Sequence, residues 1–237
     1  MSASLLSVRN LRAWYGRAQI LYDLDFEVAR GEVVALMGRN GAGKSTTFKA
    51  LMGLLDRAEG EIVFDGLALR GQEPYRIARV GLGYVPEDRR IYSGLTVTEN
   101  LEVGRQAPRT NAPHWTAEKL FQLFPNLGEM RDRPGGQMSG GEQQMLTVAR
   151  TLMGNPLLVL LDEPSEGLAP KIVEDMANTI LELKKEGLSV MLSEQNLHFA
   201  RLVCDCAYLI EKGQVRFAGS MAELEANEDV RRAYLTI

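Results

Sequence analysis

Residues 38–45 read Gly38-Arg39-Asn40-Gly41-Ala42-Gly43-Lys44-Ser45, directly after the apolar run 33–37. Few local patterns constrain a fold as strongly. Glycines at 38, 41 and 43 let the backbone turn its N–H groups inward around an anion, a geometry that a Cβ obstructs. The G-x-x-x-x-G-K-[ST] spacing is that of a phosphate-cradling loop set between a strand and a helix. Lys44 supplies a mobile charge for β- and γ-phosphate oxygens, and the Ser45 hydroxyl is placed to ligate Mg²⁺. The helix that follows aims the positive end of its dipole at the same anion. A nucleoside triphosphate is therefore the ligand class these residues predict.

The rest of the composition sets limits around that site. A chain of 237 residues accommodates one large α/β domain with an inserted subdomain, and hardly two independent ones. The net charge of −4, from 27 Lys+Arg against 31 Asp+Glu, argues against a nucleic-acid partner. No apolar run approaches the roughly 20 residues of a membrane-spanning helix, the longest notable one being 157–161, so membrane association is expected to run through partner proteins. Residues 1–10 lack the apolar core of a secretion leader, and a cytoplasmic location is expected. Cys204 and Cys206 lie too close together for a useful disulfide and do not make a metal quartet; they read as reduced, partly buried thiols.

Along the chain, 5–8 and 20–28 alternate as antiparallel strands do, while 33–37 is apolar throughout, as expected of a strand covered on both faces. A helix is predicted over 45–55, then a strand over 61–64 after Gly60 and another over 82–85 that stops at Pro86. From 88 to 137 the pattern is helical and interrupted by Pro108, Pro113, Pro125 and Pro134, which suggests an inserted helical subdomain. Parallel-sheet character returns at 157–161, 189–192 and 207–210, with a helix over 171–185 opened by Pro170 and closed by Gly187. No internal repeat, low-complexity segment or disordered tail is predicted.

Two further constellations carry chemistry. The strand 157–161 ends in Asp162-Glu163-Pro164, at the carboxyl end of a buried strand, where open α/β sheets bind ligands. Asp162 can hold Mg²⁺ through water, and Glu163, turned to the other side, is the candidate base for an attacking water. Between these elements lies Ser139-Gly140-Gly141-Glu142-Gln143 ahead of a helical pattern over 145–153. Ser139 with Glu142 forms a capping box, while the paired glycines leave uncovered N–H groups at a helix start, a second anion site.

The phosphate loop, the Ser139–Gln143 stretch and Asp162-Glu163, in that order, resemble the ATP-binding subunit of an ABC transporter over essentially the whole chain. The resemblance implies a P-loop NTPase (RecA-like) α/β core with a mainly parallel sheet, an N-terminal antiparallel β subdomain and an inserted α-helical subdomain. It places the core at 1–86 and 156–237 and the insert at about 87–155, within one ATPase domain. ATP and Mg²⁺ are the implied cofactors, with nucleotide held by the phosphate loop through Thr46, and the adenine stacked on Tyr15. Two such subunits are expected to dimerise head to tail, so that Ser139, Gly140, Gly141 and Glu142 face ATP on the partner.

Two positions depart from the family pattern. Glu87 stands where a Gln usually senses Mg²⁺ and the γ-phosphate, and Gln195 stands where a catalytic His is usual; His198, three residues on, is not taken as its replacement. Together with Pro86-Glu87 and 163–170, Glu194-Gln195-Asn196 resembles the second ATPase subunit of branched-chain amino acid importers, with urea importer ATPases as close neighbours. The resemblance thus implies ATP hydrolysis energising solute uptake. The implied partners are a different ATPase subunit, with a homodimer as the alternative in isolation, two membrane permeases and, indirectly, a periplasmic binding protein, with the chain peripheral on the inner face of the membrane. A weakly hydrolysing regulatory subunit, marked by Glu87 and Gln195, is the alternative. A soluble ABC ATPase of translation or repair is disfavoured, because the chain has neither a second ATPase domain nor a long coiled-coil insertion.

Overall fold

The computed structural model describes residues 4–234; the leader reading at 1–3 and the tail reading at 235–237 lie outside the described residues. Strands β1 (Ser4–Tyr15) and β2 (Ala18–Ala29) form a long antiparallel hairpin, and β3 (Val33–Met37) is buried at every position. The phosphate loop leads into α1 (Lys44–Leu51). That helix is shorter than its apolar pattern, because the chain turns at 52–53 and leaves Leu54 half exposed. β4 (Arg57–Phe64) and β5 (Leu67–Ala68) complete a four-stranded antiparallel sheet in the order β2-β1-β4-β5. Gly60 does not precede β4 but lies inside it: its φ is 111°, and a Cβ there would sit 2.5 Å from the Asn10 carbonyl oxygen. The register between β1 and β4 shifts at this close approach, so the glycine marks a bulge in place of a strand start.

After α2 (Pro74–Arg79) and β6 (Leu82–Val85), the chain enters the segment for which helix was predicted. Helices there are limited to α3 (Val97–Gly104), α4 (Ala117–Leu123) and α5 (Pro125–Glu129), with a 3₁₀ turn at Gly135–Gln137. Residues 86–96 and most of 105–116 are irregular, and two buried asparagines are the physical reason they remain ordered. Asn100 Nδ2 donates to the carbonyls of Tyr92, Leu95 and Thr96, while its Oδ1 accepts from the Tyr92 N–H. Asn155 accepts from the Trp115 N–H at 2.7 Å and donates to the Gln106 carbonyl at 2.9 Å. Each side chain satisfies backbone groups that a helix would otherwise pair.

The longer helix α6 (Gly140–Leu152) then returns the chain to the sheet. It is followed by β7 (Leu158–Asp162), α7 (Pro170–Lys185), β8 (Ser189–Glu194), α8 (Leu197–Val203), β9 (Cys206–Glu211) and β10 (Gln214–Ser220). The described chain closes with α9 (Met221–Ala226) and α10 (Glu228–Tyr234). The second sheet has the order β10-β9-β3-β8-β7-β6, parallel except for the β9–β10 hairpin.

Alternation explains why its central strands are apolar throughout. Val33, Ala35, Met37, Val159, Leu161, Val190 and Leu192 face a core shared with α6, α7 and α8. Val34, Leu36, Leu158, Leu160 and Met191 face the opposite core, shared with α1 and the antiparallel sheet. Each buried Val, Leu or Met side chain among these contributes roughly 1.5–3 kcal/mol. The two cores clamp β3, β7 and β8 side by side, and thereby hold their carboxyl ends in one place.

Candidate functional site

The phosphate loop runs from the end of β3 to the start of α1, with Arg39, Asn40 and Gly41 exposed and Ala42, Lys44 and Thr46 buried. Gly43 precedes the helix at φ 113°, and a Cβ there would lie 2.8 Å from Leu21 Cδ2, so conformation and space both require glycine. The loop is anchored from below by Gly38 N–H to the Glu194 carbonyl and by Gly213 N–H to the Ala42 carbonyl. Lys44, only 4% exposed, reaches back across the loop. Its Nζ donates to the Gly38 carbonyl at 2.9 Å and the Arg39 carbonyl at 3.2 Å, and pairs with Glu163 Oε1 at 2.9 Å.

Strand register supplies the next group. β7 and β8 run in parallel with Asp162 opposite Ser193, and β3 ends with Met37 opposite Glu194. Asp162 Oδ1 accepts from Ser45 Oγ at 2.9 Å and from Ser193 Oγ at 2.6 Å, while Oδ2 accepts from the Tyr84 hydroxyl at 3.0 Å. Burial first, and then the adjacent Asp162, push the Tyr84 phenol far above its ordinary range, so it stays a donor. A serine hydroxyl and a carboxylate within hydrogen-bond distance form the hard-oxygen donor set that suits Mg²⁺ alongside phosphate oxygens. These two residues therefore fit that ion.

Glu163 leaves the strand with left-handed backbone (φ 48°), which turns its side chain away from that of Asp162. Its N–H donates to Ser193 Oγ at 2.9 Å, and its Oε2 accepts from Gln195 Nε2 at 3.4 Å. Burial raises the affinity of this carboxyl for a proton, but hydrogen bonds from Glu166 and Lys44, the Lys44 charge and Gln195 together outweigh it, leaving Glu163 below the usual carboxylate range. Glu194 ties the two strand-end loops together, accepting from the N–H groups of Ser165 and Asn196, both at 3.2 Å. Burial pushes its own carboxyl upward against those donors.

Tyr15 stands at the end of β1 with its ring half exposed, while its neighbour Trp14 is covered by Arg57 at 4.0 Å. Tyr15, Ser45, Lys49, Tyr84, Glu87 and Asp162 border one open cleft of about 500 Å³. The structure thus gathers the loop, Tyr15, Glu87, Asp162, Glu163 and Gln195 at one end of the parallel sheet. Ser139, Gly140, Gly141 and Glu142 are not among the residues that line this cleft. Ser139 caps α6, accepting from the Glu142 N–H while Glu142 Oε2 accepts from the Ser139 N–H at 2.7 Å. First-turn amides of a helix have no intrahelical acceptor, which leaves those of Gly140 and Gly141 available.

Sequence reasoning passed over Ser193, Tyr84, Glu194 and Glu166 as participants. Ser193 and Glu194 were detectable only as polar residues at the end of an apolar strand, and Tyr84 carried no such signal. The cysteines play no part here: Cys206 Sγ donates to Glu32 Oε1 at 3.2 Å.

Comparison with known proteins bears directly on this geometry. A family model described as ABC transporter matches residues 21–166, a span holding the loop, the α6 start and the carboxylates of β7. The chain belongs to the ABC transporter family. This ABC cassette is 43% identical to the high-affinity branched-chain amino acid transport ATP-binding protein BraG of Pseudomonas aeruginosa, over 98% of this chain and 99% of that one. It is 35% identical to the lipopolysaccharide export system ATP-binding protein LptB of Haemophilus influenzae, over 98% and 97% of the two chains. Among solved structures, the ADP conformation of the ATP-binding cassette MJ1267 superimposes with a TM-score of 0.81 at 27% identity, covering 98% of both chains. The chain is accordingly an ATP-binding, ATP-hydrolysing ABC subunit of the kind that works with membrane permeases. Among the described residues, no helix is long and apolar enough to cross a membrane.

Proposed function

We propose that this ABC subunit energises the uptake of branched-chain amino acids. The observation that carries the solute class is the 43% identity to BraG over nearly the full length of both chains, against 35% to an export ATPase. In this reading one ATPase domain comprises a core of 1–86 and 156–237 and an insert of about 87–155. The subunit sits on the cytoplasmic face of the membrane beside a different ATPase subunit, two permeases and, indirectly, a periplasmic binding protein.

Adenine stacks on Tyr15, a contact worth about 1–3 kcal/mol. The loop amides of 38–46 and Lys44 take the phosphates. Ser45 and Asp162, with Glu87 at the same cleft, would hold Mg²⁺, which when bound neutralises charge on the β- and γ-phosphates. For Lys44 to serve there, its pair with Glu163 has to open, which frees that carboxylate to orient and deprotonate the attacking water. Gln195 reports on the γ-phosphate in this reading, which its hydrogen bond to Glu163 supports. Ser139 and the Gly140 and Gly141 amides close over nucleotide held by the partner, with Glu142 capping their helix.

The segment from Glu87 to Leu101 transmits closure to the permeases. A groove of about 540 Å³ beside it, lined by Tyr75, Arg79, Tyr92, Val103 and Arg150, supports docking there.

Uptake of labelled leucine and labelled urea by cells lacking the subunit, complemented with wild type or Glu163→Gln, tests the proposal. Leucine uptake restored by wild type alone supports both the solute and the base. Restored urea uptake moves the subunit to the neighbouring importer class, and leucine uptake rescued by Glu163→Gln favours the regulatory alternative.

A further inference from the structure

Strand β6 forms one edge of the parallel sheet, and its register sets Tyr84 opposite Leu160 of β7. Both side chains face the core shared with α1. Residues two apart along a strand share a face, so Asp162 stands on the same side, one diagonal step beyond Tyr84. An aromatic side chain is long enough to cover that step, and the Tyr84 hydroxyl donates to Asp162 Oδ2 at 3.0 Å. The ring is braced by Phe48, edge to face with centroids 6.4 Å apart. It borders the nucleotide cleft on one side and the groove beside Tyr92 and Arg150 on the other, so ring and hydroxyl have separable roles.

The three hydroxyls on Asp162 are not equivalent. Ser45 is itself a candidate ligand of Mg²⁺, so its hydroxyl has another use when the ion binds. Ser193 shares Oδ1 with Ser45 and also accepts from the Glu163 N–H at 2.9 Å. Tyr84 supplies the hydrogen bond on Oδ2. With donors on both oxygens the plane of the carboxylate is fixed; without Tyr84 it is free to swing about its Cβ–Cγ bond. We propose that Tyr84 is a positioning residue for the divalent cation, whose hydroxyl sets the orientation of the Asp162 carboxylate and thereby the affinity of the site for the ion. Partners that orient a metal-holding group are typically worth about 10–100-fold in metal affinity or activity. This inference rests on the reading of Ser45 and Asp162 as the residues that hold Mg²⁺.

The test uses the full-length chain purified with its membrane subunits, comparing wild type, Tyr84→Phe and Ser45→Ala. Mn²⁺, a paramagnetic stand-in for Mg²⁺, is titrated in the presence of a non-hydrolysable ATP analogue, and its Kd is read from loss of the free-ion electron paramagnetic resonance signal. Affinity for the same analogue in EDTA and a thermal melt are measured alongside. Tyr84→Phe keeps the ring and removes only the hydroxyl. It is expected to raise the Mn²⁺ Kd about tenfold, and the Mg²⁺ concentration for half-maximal ATP hydrolysis by a similar factor, while affinity in EDTA stays within about twofold of wild type. A lowered Tm with an unchanged Mn²⁺ Kd, the mark of a merely structural hydroxyl, overturns the proposal, as does an equal loss of analogue affinity with and without metal. If Ser45→Ala weakens Mn²⁺ binding and Tyr84→Phe does not, only the role of Tyr84 falls; if Ser45→Ala binds Mn²⁺ as wild type does, the metal assignment falls and the proposal with it.

Discussion

At the carboxyl ends of β3, β7 and β8 the charged side chains are buried and paired within the chain, whereas the N-terminus of α6 presents little beyond backbone. Asp162 is 2% exposed and takes three hydroxyl donors, and Lys44 and Glu163 neutralise one another behind the loop. Ser139 is exposed, and its polar partner Glu142 belongs to its own helix. The first region is complete as a set of side chains, so altering it disturbs the fold as well as the chemistry. The second is tied to the fold by a helix cap and by Gln143 Nε2 donating to the Gly135 and Met138 carbonyls, so the Ser139 hydroxyl can be removed with a smaller loss of stability.

The strongest challenge to that contrast is Asp162→Ala. It leaves the buried Ser193 hydroxyl, together with Tyr84 and Ser45, without their shared acceptor. Stability should fall by about 2–3 kcal/mol, which for a chain of this size lowers Tm by roughly 4–12 °C. A shift below about 2 °C in a thermal melt breaks the idea that the buried network supports the fold. Ser139→Ala should do less: loss of an N-cap is worth about 1 kcal/mol, while turnover in the assembled transporter falls by at least about tenfold. Proportionate losses of stability and turnover would erase the distinction between the regions.

The smallest effect concerns pH. The folded-state pKa of Glu166, about 7, lies above its ordinary value of 4.5, so the fold favours the protonated form. Its contribution to stability is complete below pH 4.5 and lost as the pH rises through about 7. Because the group is exposed, the Tm difference between wild type and Glu166→Gln should narrow by no more than about 1 °C between pH 5 and 8. A difference that widens with pH sinks the upward shift of the Glu166 carboxyl.

Much of the site was legible because its chemistry is local. The phosphate loop is contiguous, the capping box at Ser139 spans four residues, and the apolar run of β7 announces the carboxylates at its end. Less of the insert was legible. Its helical pattern over 88–137 is realised only in part, since Asn100 and Asn155 satisfy irregular backbone that no periodicity reveals. Gly60 reads as a strand boundary in the sequence, because the close approach of the Asn10 carbonyl that requires a glycine comes from another strand.

The sequence by itself determined the ligand class, the α/β character and the residues able to meet phosphate, since each follows from spacing within a few turns of chain. Tertiary structure alone decided that Ser193 and Tyr84 converge on Asp162, and that Lys44 and Gln195 both meet Glu163. Those relations depend on the order and register of parallel strands joined by long crossovers. Register across a sheet is set by packing of both faces at once, and no local stretch of residues encodes it.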